Sequence, residues 1–335
     1  MRARQDAGSL LMITLWLVAV LAALAVAIAR YLSLEVKLTK YRLVHEQAKT
    51  LARSGVYLAM QRLARDAAAP EADGKAYDWL GDDWASVPNQ DSTADPRSWI
   101  VPPPAAGPVG MRFTGTLSIR IVDEAGRLHL NTVAKDQLVR LTGNEAIAQA
   151  VIDARDEPDA AEDSPDATPP YVAKNGPFIA PEELSDLPGM TREAYETLRV
   201  NASPYLLVEE SVNLNTATPE TLRALGLNER TVEMVIQFRD GPDGPERHEQ
   251  DGVFKEAGLA ILQTLRDAQG VDLTGTHDGN RLITDEFGVA SNVFTVTSES
   301  VMERPVARCR VEAVIRRTAC GEGRTSPCII AWREH

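Results

Sequence analysis

The feature that most constrains this chain is the run from Ser9 to Ala29, SLLMITLWLVAVLAALAVAIA, 21 consecutive residues without a charge. As an α-helix rising about 1.5 Å per residue, the run is as long as the hydrocarbon core of a bilayer is thick. Arg2, Arg4 and Asp6 precede it and Arg30 closes it. A cleaved secretory signal is the alternative, and Ala27-Ile28-Ala29 has the small-residue pattern of a cleavage site. Such signals carry an apolar stretch of only about 7 to 15 residues, so the length favours a retained span. Two arginines in the short leader hold the N-terminus on the cytoplasmic side, which puts everything after Arg30 across the membrane.

Helix-forming sequence continues to about Ala68, with no proline and, beyond the span, the single glycine Gly55. Val44, Ala48, Leu51, Gly55, Ala59 and Leu63 recur at spacings of three and four and draw one apolar stripe along a charged helix. Span and stripe together predict one helix of more than 50 residues. A lone anchor needs no such extension, whereas a subunit packed beside sister helices does. The same stripe also suits a helix lying on its own domain, and the two readings fit different halves.

Residues 69–112 hold Pro70, Pro88, Pro96, Pro102 to Pro104 and Pro108 and read as an irregular surface linker. From Phe113 the pattern alternates, with Phe113, Gly115, Leu117, Ile119 and Ile121 against Thr114, Thr116, Ser118 and Arg120, as a half-buried strand does. Alternation returns in Val293 to Ser298, Ala307 to Arg316 and Cys328 to Trp332. One strand before and about three after predict an antiparallel sheet interrupted by an insertion over 123–286. Inside the insertion, positions 130–159 match 214–243 at a fixed offset of 84, with 13 identities in 30 positions, starting with Leu-Asn-Thr at Leu130 and Leu214. Each copy reads as a short helix, a tight turn at Gly143 or Gly226, and a second helix ending in an Asp-Pro loop. Gly176-Pro177-Phe178 and Gly252-Val253-Phe254 then lead into further helices.

These units resemble helix-hairpin-helix modules, which in DNA-binding relatives hold phosphate on backbone amides of a Gly-x-Gly hairpin. A membrane-anchored DNA-binding or uptake protein is therefore the competing function. The turns Thr142-Gly143-Asn144, Gly226-Leu227-Asn228 and Pro188-Gly189-Met190 lack the paired glycines that allow close approach. Charge weighs more heavily. Of the chain's 48 Asp+Glu and 35 Lys+Arg, 32 acids and 14 bases fall between Asp123 and Glu286, a net charge of −18 there against +5 elsewhere. A phosphate-binding surface needs the opposite sign, so nucleic acid is excluded as the expected partner.

Seven carboxylates lie between Asp153 and Asp166, with Arg155 as their one basic neighbour. Such a run suits either a solvated acidic loop or, with two or three side chains turned inward, a hard oxygen-ligated cation such as calcium. Asp156, Asp159, Glu162 and Asp163 are the candidate ligands. Asp240, Asp243, Glu246 and Asp251 of the second copy form a weaker set. Cys320 and Cys328 flank a plausible hairpin tip and would pair in an oxidising compartment, leaving Cys309 as a small buried residue. The five histidines are scattered, and no zinc-protease, nucleophile-elbow or phosphate-loop motif occurs, so the chain carries no positive sign of an enzyme.

Gly8, directly before the apolar run and behind a basic leader, resembles the cleavage junction of type IV prepilins and type II secretion pseudopilins. In that family a membrane peptidase cuts after the glycine and methylates the new N-terminus, here Ser9. Most members carry a glutamate at the fifth mature position; the residue here is Ile13, a departure typical of the K-type minor pseudopilin, general secretion pathway protein K. The resemblance implies an α+β pseudopilin fold, a long N-terminal helix on an antiparallel sheet, with a large inserted α-helical domain of duplicated helix-hairpin-helix-like units. The segments would be a leader (1–8), membrane span and helix (9–68), linker (69–112), sheet (113–122 and 287–335) and inserted domain (123–286). It further implies a single-pass inner-membrane protein with a periplasmic C-terminal domain, assembling with I- and J-type minor pseudopilins at the tip of the pseudopilus. The prepilin peptidase and secreted substrate would be further partners, and calcium would sit in the acidic stretch. Membrane and assembly contacts would fall to Leu10, Ile13, Trp16, Ala29, Val44 and Leu51.

Overall fold

The computed structural model describes residues 3–68, 77–85, 98–101, 115–156, 174–206, 211–241, 252–269, 286–303, 305–318 and 327–335. Helix α1, Ala3–Ala68, is a single element 66 residues long, about 100 Å from end to end. Its upper third lies on a five-stranded antiparallel sheet of order β1-β2-β7-β8-β9. These strands are β1 (Ser98–Val101), β2 (Gly115–Asp123), β7 (Val293–Glu303), β8 (Val306–Arg316) and β9 (Cys328–Glu334). β2 and β7 pair from Gly115↔Met302 to Asp123↔Phe294, so the chain leaves and re-enters the sheet at neighbouring points. An insertion between such strands costs the sheet little.

The stripe on α1 meets this sheet. Val44, Ala48, Ala52, Val56, Ala59 and Leu63 are buried against Leu117, Ile119, Ile121, Phe294, Val296, Val311, Ala313 and Ile315. Burial in β2 alternates as its sequence does, with Leu117, Ile119 and Ile121 inward. The small residues on the helix bring its backbone close to the strands. Ser300 Oγ donates to the Ala48 carbonyl at 2.7 Å, and a Cβ on Gly55 would stand 2.1 Å from Ser298 Oγ and 3.2 Å from Ile119 Cγ1.

Residues 69–112 are not irregular throughout, as the prolines predicted. Tyr77, Asp78, Asp82, Trp84 and Ala85 are buried, and Trp84 meets Phe294 edge-on at 5.0 Å between ring centroids. β1 pairs with β2 from Ser98↔Arg120 to Val101↔Leu117 and forms one edge of the sheet. A strand of four residues between Pro96 and Pro102 is too short to show a period in the sequence, and proline is tolerated at such edges.

The insertion contains α2 (Lys135–Thr142), α3 (Glu145–Arg155), α4 (Arg192–Asn201), α5 (Pro219–Ala224), α6 (Glu229–Asp240) and α7 (Leu259–Gln269), with a 3₁₀ turn at Pro181–Asp186. Two short parallel ladders complete it. β3 (Leu128–His129) pairs with β4 (Ala202–Ser203), and β5 (Val212–Asn213) with β6 (Phe287–Gly288). The sequence repeat is reproduced atom by atom. Asn131 clamps the Phe178 backbone, donating to its carbonyl at 3.0 Å and accepting from its amide at 2.7 Å. Asn215 does the same to Phe254, at 2.9 Å and 2.9 Å. Arg155 Nη1 donates to the Leu130 and Val133 carbonyls, and Arg239 Nη1 to those of Leu214 and Ala217. The two copies share one apolar core. Gly143, at φ 66°, ends α2 in the left-handed conformation that glycine adopts without a Cβ penalty. Thr218 caps α5 at the Thr221 amide, with Pro219 at the first helical position.

Because Gly55 packs directly on Ser298, Gly55→Ala should destabilise the protein by about 1–3 kcal/mol, the usual cost of overpacking a close contact. Ser298 Oγ is buried without a hydrogen-bond partner, so Ser298→Ala should be nearly neutral, and adding it to Gly55→Ala should restore part of the loss. Thermal unfolding of the detergent-solubilised chain checks this; equal destabilisation with and without the serine would show that the contact does not limit packing.

Candidate assembly interface and interlobe joint

Below its sheet, α1 has no cover from the described residues. Leu11, Met12, Ile13, Leu15, Trp16 and Leu17 begin a series of large apolar side chains exposed on all sides and continuing through Ile28. Ile13 is 64 % and Trp16 72 % exposed, and Ala29 is exposed as well. This is one helix long and apolar enough to cross a membrane, with no carboxylate between Leu11 and Arg30. Gly8, Ser9 and Leu10 continue the same helix; the side chains of Ser9 and Leu10 lie outside the described residues. Two expected assembly residues are elsewhere. Val44 is 7 % exposed and turned onto the chain's own sheet, and Leu51 packs half-buried against the same core. The stripe from Val44 to Leu63 is therefore occupied internally, because Ala48, Ala52 and Gly55 let the sheet approach more closely than a second helix would need to. Below Val44 the large apolar side chains of α1 are left exposed.

At the top of α1 a polar joint ties helix, sheet and inserted domain together. Arg317, just past β8, donates from Nη1 to Asp66 Oδ2 at 2.8 Å and from Nη2 to Asp78 Oδ1 at 2.6 Å. Its guanidinium stacks 5.0 Å from the centroid of Phe294. Asp78 Oδ2 also accepts from the Ser291 amide at 2.7 Å. Asp123, at the end of β2, accepts on one oxygen from Ser291 Oγ at 2.6 Å, Thr216 Oγ1 at 2.5 Å and Asn213 Nδ2 at 3.1 Å. The other oxygen takes the Ala125 amide at 2.8 Å. Thr216 belongs to the second copy of the repeat and Asn213 directly precedes it, so the start of the module is also what holds it to the sheet. At the equivalent place in the first copy stands His129, whose Nδ1 accepts from the Asn131 amide at 3.2 Å as Asn213 Oδ1 accepts from the Asn215 amide at 3.0 Å. Burial holds the His129 imidazole below its ordinary value.

Two acids in this region carry raised pKa values. Burial pushes Asp123 up to about 6 against the pull of its hydroxyl and amide donors. Burial pushes Asp82 up to about 7, although its carboxylate accepts from the Trp79 amide at 2.9 Å and from Trp84 Nε1 at 3.1 Å. Oxygens of Asp66, Asp78 and Asp82 lie within 4.8 Å of one another, a donor set that would suit a hard cation. Arg317 already supplies positive charge to Asp66 and Asp78, and the cluster reads as the acid side of a buried ion pair.

Of the acidic-loop candidates, Asp156 is described; Asp159, Glu162 and Asp163 lie outside the described residues. Asp156 Oδ1 takes Arg155 Nε at 2.8 Å, as Asp240 takes Arg239 Nε at 2.7 Å. Its first duty is therefore to orient the arginine that closes the repeat, and its second oxygen is the one with freedom to serve a ligand. In the weaker second-copy set, Asp240 has the same structural duty, and Asp243, Glu246 and Asp251 lie outside the described residues. Cys328 is disulfide-bonded and Cys309 is a buried free thiol; Cys320 lies outside the described residues. At the helical hairpins the amides that a phosphate would use are taken by side chains. Asn144 Oδ1 accepts from the Ala146 and Ile147 amides, and Asn228 Oδ1 from the Thr231 amide. Glu145 and Glu229 in those first turns add negative charge, paired with Lys135 and Arg223.

No family model matches the chain, and no curated protein does. A chain of the solved GspK-GspI-GspJ complex of the type 2 secretion system of enterotoxigenic Escherichia coli matches with TM-score 0.61. The match covers 89 % of this chain and 99 % of that one, at 17 % identity. The fold is a pseudopilin fold. The shared architecture includes the inserted helical domain, which a match over so much of both chains requires.

Sequence reasoning missed the joint. Asp78, Arg317 and Ser291 come from three distant segments with no motif; the one available signal was that Asn213 breaks the repeat where the first copy has His129. Since Asp82 keeps its proton to about pH 7 in the fold and releases it near 3.8 when unfolded, its contribution is fully present below about pH 4 and lost as pH rises through 7. Asp82→Asn, which keeps an oxygen for both tryptophan donors, should raise the melting temperature at pH 8 and raise it clearly less at pH 5, where only part of the contribution has been lost. A fall at both pH values would show that the carboxylate is needed ionised.

Proposed function

We propose that this chain works as a K-type minor pseudopilin of a type II secretion system, placed at the tip of a periplasmic pseudopilus to initiate or cap it. The observation that carries the reading is a membrane-length apolar run without an acid, on a helix that no described residue covers below Val44, joined through a buried polar network to an anionic lobe. The rod explains anchoring in the inner membrane and association with other subunits. Ile13 offers no carboxylate to the N-terminus of a subunit ahead, and an unpaired acid at that depth would be expensive. The lobe gives the top of the subunit a width on which another copy of a simple rod-and-sheet subunit would not stack. Its net charge of −18 argues against nucleic acid. The role is one of binding and mechanics rather than catalysis.

The matched structure is a three-protein complex, which supports I- and J-type minor pseudopilins as companions; the two arginines of the leader favour a periplasmic C-terminal domain. The prepilin peptidase would cut after Gly8 and methylate Ser9, and the lobe would be positioned to meet secreted cargo. N-terminal sequencing of the membrane-extracted protein should begin at methylated Ser9, and the chain should co-purify with its I- and J-type companions. A mature chain starting after Ala29 would remove the rod and the proposal with it.

Calcium in the acidic loop is part of this reading, with Asp159, Glu162 and Asp163 as principal ligands and Asp156 as a contributor through its second oxygen. Millimolar calcium should raise the melting temperature of the native chain by several degrees, and Asp159→Asn combined with Asp163→Asn should abolish that shift. An identical shift in the double variant would assign the ion elsewhere.

A further inference from the structure

Where β2 ends, the chain makes a tight turn against the start of the second repeat copy. The Arg127 amide closes the turn on the Glu124 carbonyl at 3.1 Å, and the Asn213 amide donates across the joint to the Ala125 carbonyl at 2.8 Å. Gly126 lies so close to Thr216 that a Cβ there would stand 2.7 Å from its Oγ1 and 2.9 Å from its carbonyl carbon and oxygen. In the middle of this contact sits the Asp123 carboxyl, 5 % exposed. Its Oδ2 has three donors, from the lobe side (Thr216 and Asn213) and from the segment re-entering the sheet (Ser291).

None of these donors carries a full charge. The charged groups that face Asp123 are Asp78 of the 77–85 segment, Glu124 next in the chain, and Arg317 after β8. Glu124 is paired with Arg127 at 2.8 Å, and Arg317 is turned to Asp66, Asp78 and the Ser291 carbonyl. Among the described residues no lysine or arginine pairs with Asp123, so its charge is buried on dipoles alone, with Asp78 adding to the burial that pushes its pKa up to about 6. The neutral acid also has a place prepared for it. Thr216 Oγ1 lies 3.4 Å from the Asn213 carbonyl as well as 2.5 Å from Asp123. A proton on Oδ2 can therefore be donated to Thr216 Oγ1 while the threonine hydroxyl turns to that carbonyl, and no link across the joint is broken.

We infer that Asp123 is a proton-operated catch between lobe and sheet: with its proton on, the start of the second repeat copy is held closed on the end of β2, and with the proton off the joint opens more often and frees the angle of the lobe. The catch is independent of what the subunit assembles with. Its direction follows from linkage. The carboxyl holds its proton to about pH 6 in the closed joint and to about 3.8 once water reaches it. The stabilisation is therefore complete below about pH 4 and is lost as the pH rises through 6. Between pH 5 and pH 8 the closed state should lose about tenfold in its equilibrium with the open one.

Hydrogen exchange of the full detergent-solubilised chain, corrected for the intrinsic effect of pH on exchange, reads this directly. Protection of amides over 212–217 should fall about tenfold from pH 5 to pH 8, while amides over 232–236, inside α6, change much less. Asp123→Asn, which keeps an oxygen for the donors and cannot ionise, should abolish the fall, and Asp82→Asn should leave it in place. Equal protection over 212–217 at the two pH values overturns the catch, as does an equal fall over 232–236, which would make the effect one of global stability. Both comparisons are made in the native chain and hold even if Asp123→Asn does not fold. Persistence of the fall in folded Asp123→Asn, or its disappearance in Asp82→Asn, assigns the proton to another group and overturns the catch as well.

Discussion

The structure depends on how one continuous helical seam is divided. Along α1 the sequence supplies apolar residues in phase from the membrane to Leu63, and the chain's own sheet claims the upper part. It does so through closeness: Ala48, Ala52 and Gly55 allow strand side chains to reach the helix backbone, and Ser300 Oγ bonds the Ala48 carbonyl directly. Burial of Val44, Val56 and Leu63 with Leu117, Ile119 and Phe294 then contributes about 1.5–3 kcal/mol for each large side chain. Once the seam is filled there, the rod cannot rotate or slide on the domain. Everything below Val44 is presented in a fixed orientation.

The joint at the other end of the helix makes the lobe part of the same rigid body. Arg317 reaches Asp66 on α1 and Asp78 in the 77–85 segment, and Asp123 gathers Asn213, Thr216 and Ser291. Such buried polar groups stabilise only when nearly all are satisfied, and their directionality fixes the angle between lobe and sheet where apolar packing alone would allow several. Burial is what pushes the Asp82 and Asp123 carboxyls up toward neutrality, with the neighbouring Asp78 adding to the push on both.

The long helix, the interrupted sheet and the doubled module were all legible in the sequence, since each is written in a local period: 3.6 along α1, 2 along β2, β7 and β8, and 84 between the copies. The tight turn at Gly143 followed from residue chemistry alone. The 77–85 segment and β1 were not legible, because Trp84 meets Phe294 and Asp78 meets Ser291 and Arg317, all more than two hundred residues away, and a four-residue edge strand has no period to detect. The acidic run likewise advertised charge and no roles. Only in the fold does Asp156 become the partner of Arg155, with Asp240 and Arg239 repeating the arrangement.

The sequence by itself therefore determined that there is a membrane-length rod, that a sheet is split by a duplicated insertion, and that the insertion is too anionic to court a phosphate backbone. These are properties of composition and spacing, which survive any arrangement in space. The tertiary structure alone decided which face of the rod is spent inside the molecule and which is left exposed. A helical period says that Val56 and Leu38 lie on one line; whether a sheet stands over either depends on where β7 and β8 return after an excursion of more than 160 residues.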